Sequence, residues 1–250
     1  MASNFKTAAV TQAEVASVQE VAGRIEANER KVTRIGAAVT GRVTEVLAET
    51  GDRVKAGQTL ARVASPELTT AQLAYMRASA TATLAERSVE RARQLIAADV
   101  IGSAELLRRE SEVQIARAEL RAAGDQLKLM GLSADALSSL RAKGNVAPNA
   151  AITASAAGIV IERQVSQGQV AQPGDPLFTV ADLSNVWVVG ALPEQMARSV
   201  QVGQDVQVDV PALGLTVEDP PITGKIIYVG DTVSTQTRTV AIRTQVDNKD

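Results

Sequence analysis

The chain has 250 residues, enough for more than one domain, and 45% are hydrophobic while only 2% are aromatic, so any core must be aliphatic. Lys and Arg number 26 against 28 Asp and Glu, a formal net charge of -2 with no basic excess for a phosphate backbone, which excludes nucleic acid as an expected partner. Histidine and cysteine are absent, which removes Ser/His and Cys/His nucleophiles, disulfides and zinc sites of imidazole or thiolate, and leaves carboxylate chemistry as the surviving enzymatic option.

The start, Met-Ala-Ser-Asn-Phe-Lys, has no apolar signal region behind its charge, and no stretch approaches the roughly 18 to 20 apolar residues that cross a bilayer. The polypeptide as it stands is expected to be soluble, and its last strand-like run is read as the end of a piece of a longer protein. Residues 21–35 hold the first strand candidate, placed to complete a barrel formed later in the chain. A short strand from Gly41 to Val46 then leads through Gly51-Asp52 to a second strand between Val54 and Val63. Glycine suits such turns because they demand positive φ or close backbone approach.

Residues 66–98 and 103–130 carry a helical signature. In the first, Leu68, Ala71, Tyr75, Ala78, Ala82, Ala85, Val89, Ala92 and Ile96 alternate spacings of three and four, a heptad seam. In the second, Leu106, Val113, Leu120 and Leu127 form one row, and Arg109, Ala116, Ala123 and Met130 the other, with Arg109 the single flaw. Pro66 fits a first helical turn, and Ser103 is expected to cap the second helix with Glu105 just inside it. The loop Asp99-Val100-Ile101-Gly102 is short enough to force antiparallel neighbours, each arm reaching roughly 40 to 50 Å. Arg87, Glu90, Arg91, Arg93, Arg108, Glu110, Glu112, Arg117, Glu119 and Arg121 read as a solvated outer face.

Residues 158–182 repeat residues 41–65 at a constant offset, with the matches Gly41/Gly158, Val43/Val160, Glu45/Glu162, Gly51/Gly168, Gly57/Gly174, Leu60/Leu177, Val63/Val180 and Ala64/Ala181. Each copy is a β-hammerhead half. Four β runs follow, at 185–191, 200–210, 222–229 and 237–246, in which Val206, Val208 and Val210 and then Val240, Ile242, Thr244 and Val246 alternate with polar residues. Pro193, Gly203, Pro211, Gly214 and Pro220-Pro221 punctuate them, as in a small antiparallel barrel or sandwich.

Two hammerhead halves interrupted by a long helical hairpin and followed by a small barrel resemble the periplasmic adaptors, or membrane fusion proteins, of tripartite efflux systems. The resemblance runs from about Val21 to Val246. It is carried by Gly41-Arg42-Val43, residues 51–60, Ser65-Pro66-Glu67-Leu68, residues 177–188 with their Ala-Asp-Leu-Ser-Asn-Val-Trp-Val run, and Thr237-Arg238-Thr239. Among adaptors the chain is most similar to the heavy-metal branch of resistance-nodulation-division pumps. The resemblance implies an α+β, elongated multidomain fold: an α-helical coiled-coil hairpin (66–145) inserted between two halves (36–65 and 152–183) of a lipoyl/biotinyl-like β-hammerhead, then a small antiparallel β-barrel (184–250). Residues 1–35 would contribute to the barrel or to a membrane-proximal part that is otherwise largely missing.

The implied function is a non-catalytic periplasmic adaptor, associated with the inner membrane, that bridges a proton-driven pump to an outer-membrane channel for heavy-metal export and forms rings of three or six copies. Multidrug and type I secretion adaptors are the alternatives. Arg91 and Leu95 match the family's channel-docking set at the hairpin tip, and Gly102 with Ser103 beside it stands at the set's serine position. No cofactor is expected, because the hammerhead's carrier-domain relatives modify a lysine that Lys31 and Lys55 are not placed to supply. No metal site is expected either: Met1, Met76, Met130 and Met196 are scattered, with Met76 and Met130 far apart on opposite arms, and Asp205, Asp209 and Glu218 read as ordinary exposed residues. Trp187 reads as a core or junction residue, and Arg238 as the partner of a carboxylate such as Asp231.

Overall fold

The computed structural model describes residues 18–214, 216 and 219–248. It divides into two compact units, one of residues 27–184 and one of residues 18–26 with 185–248. The strand candidate at 21–35 is two strands, β1 (Gly23–Ala27) and β2 (Val32–Gly36), parted by a 3-10 turn at Glu29–Lys31. The turn forms because the Asn28 side chain accepts from Arg30 N at 3.0 Å, capping it. Only β2 joins the repeat.

The first half of the repeat supplies β3 (Gly41–Val46), β4 (Arg53–Val54) and β5 (Thr59–Ala64). Three helices intervene, α1 (Pro66–Ala97), α2 (Ser103–Leu129) and α3 (Ala134–Lys143). The second half then supplies β6 (Asn149–Thr153), β7 (Gly158–Arg163), β8 (Val170–Ala171) and β9 (Pro176–Ala181). Every strand from β2 to β5 recurs as β6 to β9 at the offset that carries Gly41 to Gly158, so the repeat is one strand longer than residue identity reveals. The strands form two four-stranded sheets, β2-β9-β7-β4 and β6-β5-β3-β8, in which each half lends its first strand and its two-residue strand to the flanks of the other half's longer pair. Arg53↔Ile159 and Val54↔Gly158 on one side match Arg42↔Val170 and Gly41↔Ala171 on the other.

The core between the sheets obeys the same symmetry. Its sixteen buried residues fall into eight pairs, Ile35/Ile152, Ala37/Ala154, Val43/Val160, Ala48/Val165, Val54/Ala171, Leu60/Leu177, Ala61/Phe178 and Val63/Val180. Turns repeat too. At 49–52 and 166–169 the fourth residue donates its N–H to the first residue's carbonyl, a glycine at φ +97° or +86° holds the third position, and the Asp52 or Gln169 side chain accepts from the first residue's N–H. Gly41 and Gly158 serve a different need, since a Cβ there would lie 2.2 Å from Ala64 O or 2.4 Å from Ala181 O.

The hairpin grows from this core. Ser65 caps α1, its Oγ accepting from Leu68 N at 3.3 Å, and Pro66 takes the first helical position. Leu68, Ala71, Tyr75, Ala82, Val89 and Ala92 are buried along α1, and Val113, Ala116 and Leu127 along α2, as the heptad spacing predicts. At the base, Val39, Leu68, Ala71, Tyr75, Leu127, Met130, Leu140 and Ala150 form a second apolar cluster that α3 helps to close. Buried Gln72 exchanges two hydrogen bonds with the Ala147 backbone, 2.7 Å to its carbonyl and 3.0 Å from its N–H. Met130 belongs to this cluster and Met76 packs against it, so both methionines fill apolar space at the base.

Strands β10 (Asn185–Pro193), β11 (Asp205–Val208), β12 (Ile222–Ser234) and β13 (Thr239–Asp247) join β1 in one sheet of order β1-β10-β13-β12-β11. Val240, Ile242, Thr244 and Val246 are buried, while Ala241 and Gln245 are exposed, which reproduces the expected alternation. Among the described residues no pairing joins β11 to β1, and the sheet is open. Arg238 does not pair with Asp231. It occupies the left-handed position (φ +53°) of the β12–β13 loop, where its N–H donates to Ser234 O at 2.7 Å and its carbonyl accepts from Glu194 N, so its backbone, not its charge, shapes the turn. Asp205 pairs with Lys225 at 2.6 Å, Asp209 is exposed, and Glu218 lies outside the described residues.

Candidate functional site

The hairpin tip begins where α1 stops. Asp99, at φ +54°, donates its N–H to Ile96 O, and Val100 donates to Leu95 O at 2.9 Å; these two bonds reverse the chain and satisfy the last carbonyls of α1. Glycine usually fills this left-handed position, and an aspartate in its place is tolerated because short polar side chains enter that region at modest cost. Gly102, with extended backbone, is the N-cap of α2 and makes no side-chain cap bond. Ser103 is the first helical residue, not the cap, and Glu105 turns to arginines instead of the helix end.

The four tip residues assemble at one end of the hairpin. Arg91 and Leu95 stand one turn apart on α1, both exposed, and Gly102 and Ser103 follow across the loop, also exposed. Leu95 is 38% exposed, with Val100 at 64% and Leu107 at 66% close by in sequence, an unusual density of bare apolar side chains for a helix end. Arg91 makes no ion pair or hydrogen bond with the described residues, whereas its neighbours do. Arg93 reaches Glu110 on the other arm at 3.0 Å, and Arg117 reaches Glu86 at 2.8 Å. Arg108 bonds both Glu105 and Glu112 at 2.7 Å, and Arg109 bonds Glu105 at 2.7 Å. The Arg108 and Arg109 guanidiniums hold the Glu105 carboxyl down to about 2. The outer face therefore does more than meet water: some of its charges tie the arms together.

The second notable stretch is the run after β9. Lys31 Nζ donates to Asp182 Oδ2 at 2.9 Å and to Ser184 Oγ at 2.7 Å, and Ser184 N donates to Asp182 Oδ1 at 2.9 Å. Lys31 first, then Ser184, pull the Asp182 carboxyl to about 2. Three residues on, Trp187 is buried, with the Arg243 guanidinium 4.1 Å from its ring centroid and 5.7 Å from that of Tyr228. This stack is invisible in the sequence because it depends on the pairing of β10, β12 and β13. Among the described residues no group of three or more Asp or Glu side chains could hold a metal ion.

A split β core with a hairpin inserted between its halves is now matched by comparison with known families. Residues 31–182 match the CzcB-like barrel-sandwich hybrid domain, and residues 185–250 the CusB-like beta-barrel domain. The chain belongs to the CzcB-like membrane fusion proteins. The cobalt-zinc-cadmium resistance protein CzcB of Cupriavidus metallidurans is 26% identical over 247 residues, covering 97% of this chain and 45% of the relative. The nickel-cobalt-cadmium resistance protein NccB of Alcaligenes xylosoxydans xylosoxydans is 24% identical over 96% of this chain and 56% of its own. The chain thus spans about half the length of the curated relatives it matches. The crystal structure of ZneB from Cupriavidus metallidurans aligns with a TM-score of 0.59 at 28% identity, over 91% of this chain and 90% of that one. A MacA-MexA chimeric protein carrying the Pseudomonas aeruginosa MexA α-hairpin aligns with a TM-score of 0.63 at 22% identity, over 91% and 72% of the two chains, a likeness of fold.

Proposed function

We propose that this CzcB-like chain is the bridging part of a periplasmic adaptor that couples a proton-driven inner-membrane pump to an outer-membrane channel and serves the export of heavy-metal cations. The carrying observation is the hairpin: a two-helix arm, inserted in a split β core, whose tip displays an unpaired Arg91 beside an exposed Leu95. Two helices of 32 and 27 residues give a reach of about 48 and 40 Å at 1.5 Å per residue. The relatives' names, cobalt-zinc-cadmium and nickel-cobalt-cadmium resistance proteins, support heavy-metal cations as the cargo.

In this reading the cations are cargo that the chain does not ligate, and its contribution is geometric. The base cluster and the Gln72 bonds fix the arm to the β core, the arm carries the tip toward the channel, and the open five-stranded sheet serves the pump side. The adaptor acts in the periplasm at the inner membrane, in rings of three or six copies, without enzymatic activity. At the channel, Arg91 supplies an uncommitted cation and Leu95, Val100 and Leu107 supply apolar area, with Gly102 and Ser103 shaping the loop between them.

The test is complementation. The full-length gene is restored to a strain lacking it, beside versions carrying Arg91→Asp or Leu95→Ser, and tolerance to zinc, cobalt, nickel, cadmium, copper and silver is titrated. Expected is tolerance to particular cations with the parent gene and its loss with either tip variant at normal protein levels. A parent gene that restores tolerance only to drugs would move the adaptor to multidrug export, and tip variants as protective as the parent would overturn the docking assignment.

A further inference from the structure

Arg109 is the one polar residue in the apolar rows of α2, and the structure gives it partners. Its side chain is 25% exposed; Nε donates to Glu105 Oε1 at 2.7 Å on its own helix, and Nη1 donates to Ser88 Oγ at 3.0 Å on the facing arm. The fully buried apolar residues of the distal half are small, Ala82, Val89 and Ala92 on α1 and Val113 and Ala116 on α2, with the larger Ile96 and Leu106 only half-buried toward the tip, whereas Leu68, Tyr75, Leu127 and Met130 fill the base. Small side chains of nearly equal size bury similar area when the arms slide or rotate against each other, so packing alone selects the register weakly there. The cross-arm pairs Arg93–Glu110 and Arg117–Glu86 are more exposed, and such pairs tolerate displacement by re-orienting long side chains.

A fork held at two points is less forgiving. A one-turn slip of about 5.4 Å would carry Ser88 out of reach and leave a half-buried guanidinium with one partner. We infer that Arg109 is a positioning residue, which fixes the rotation and register of α2 on α1 at the end of the hairpin that presents Arg91 and Leu95. The apolar row is broken there to specify one arrangement, as single polar residues do in other helical seams. The register role stands on the contacts above, and its consequence for docking rests on the proposed function.

Because these 250 residues hold no cysteine, spin labels can be placed in this chain on Gln94→Cys and Ser111→Cys, exposed positions on opposite arms. The parent is expected to give one narrow inter-label distance. Ser88→Ala, which removes only the cross-arm acceptor, and Arg109→Leu, which completes the apolar row, are expected to broaden it or add a second population shifted by about one turn. Helicity should persist, and the Arg109→Leu hairpin should melt at or above the parent temperature, an outcome that separates register from stability. A single unchanged distance in both variants overturns the inference. In the complementation assay, loss of tolerance with Arg91→Asp but full tolerance with a register-shifted Arg109→Leu would overturn its link to docking. Full tolerance with both would count against the docking reading, and the label distances would still decide the role of Arg109.

Discussion

At the scale of single residues, Asp182 has the clearest energetic signature. Its carboxyl, held at about 2 by Lys31 and Ser184 against an ordinary 3.8, prefers the folded state's environment when ionised. The sign follows from linkage: the stabilisation is fully present above about pH 4, where the unfolded chain is also ionised, and fades as pH falls toward 2. Asp182→Asn should therefore melt below the parent at pH 6, with a gap that narrows between pH 4 and 2. Thermal melts across that range decide it, and a gap independent of pH would show that the Lys31 pairing carries no titratable stability. Asp182 is legible in the sequence as part of a family-like run, but its role is not, because Lys31 lies 151 residues away and only the β2–β9 pairing brings it near. The Arg243 stack on Trp187 and the bond from Arg109 to Ser88 are hidden for the same reason.

At the scale of elements, spacing makes the two long helices legible nearly to their ends, since a three-four alternation sustained over many turns is a period that strands and loops do not produce. Helix α3 escapes such a reading because it is ten residues long and buries only Leu140 fully, with too few apolar positions for a period to show. The first strand of each repeat copy escapes it because Val32–Gly36 and Asn149–Thr153 share a single identity, Ile35 with Ile152, and it is their backbone pairing that is equivalent. The seam makes a graded prediction. Ala82 is 2% exposed and Ala85 half-buried, so Ala82→Glu would bury a carboxylate between closely packed helices while Ala85→Glu can lift its charge toward water. Expected losses are about 3 kcal/mol or more at Ala82 and clearly less at Ala85, read from the unfolding of the helical signal in urea. Equal and negligible effects at both positions would sink the assignment of this face to the interior.

At the scale of the whole molecule, the hairpin behaves as an insertion into a β core that is complete without it. The core's eight residue pairs come entirely from the two repeat halves, and no helical residue belongs to it. The insertion points adjoin: Ala64 and Asn149 are register partners on β5 and β6, and Ser65 N donates to Pro148 O at 3.1 Å. A two-residue turn is the natural closure for strands so placed, and proline is the one residue there that cannot donate the returning bond. Replacing residues 66–147 by Asn-Gly, with Pro148→Thr to restore the donor, should leave residues 27–184 as a β unit that folds alone. The expected cost is local, since Val39 and Ala150 lose the helical cover they share with Leu68 and Leu127, and a loss of about 1–3 kcal/mol per uncovered side chain is tolerable for a core of this size. Circular dichroism should show β structure without helix, and chemical denaturation should show one cooperative transition. A shortened chain that stays soluble but unfolds without cooperativity would mean that the helical base, and not the twofold core, organises the fold.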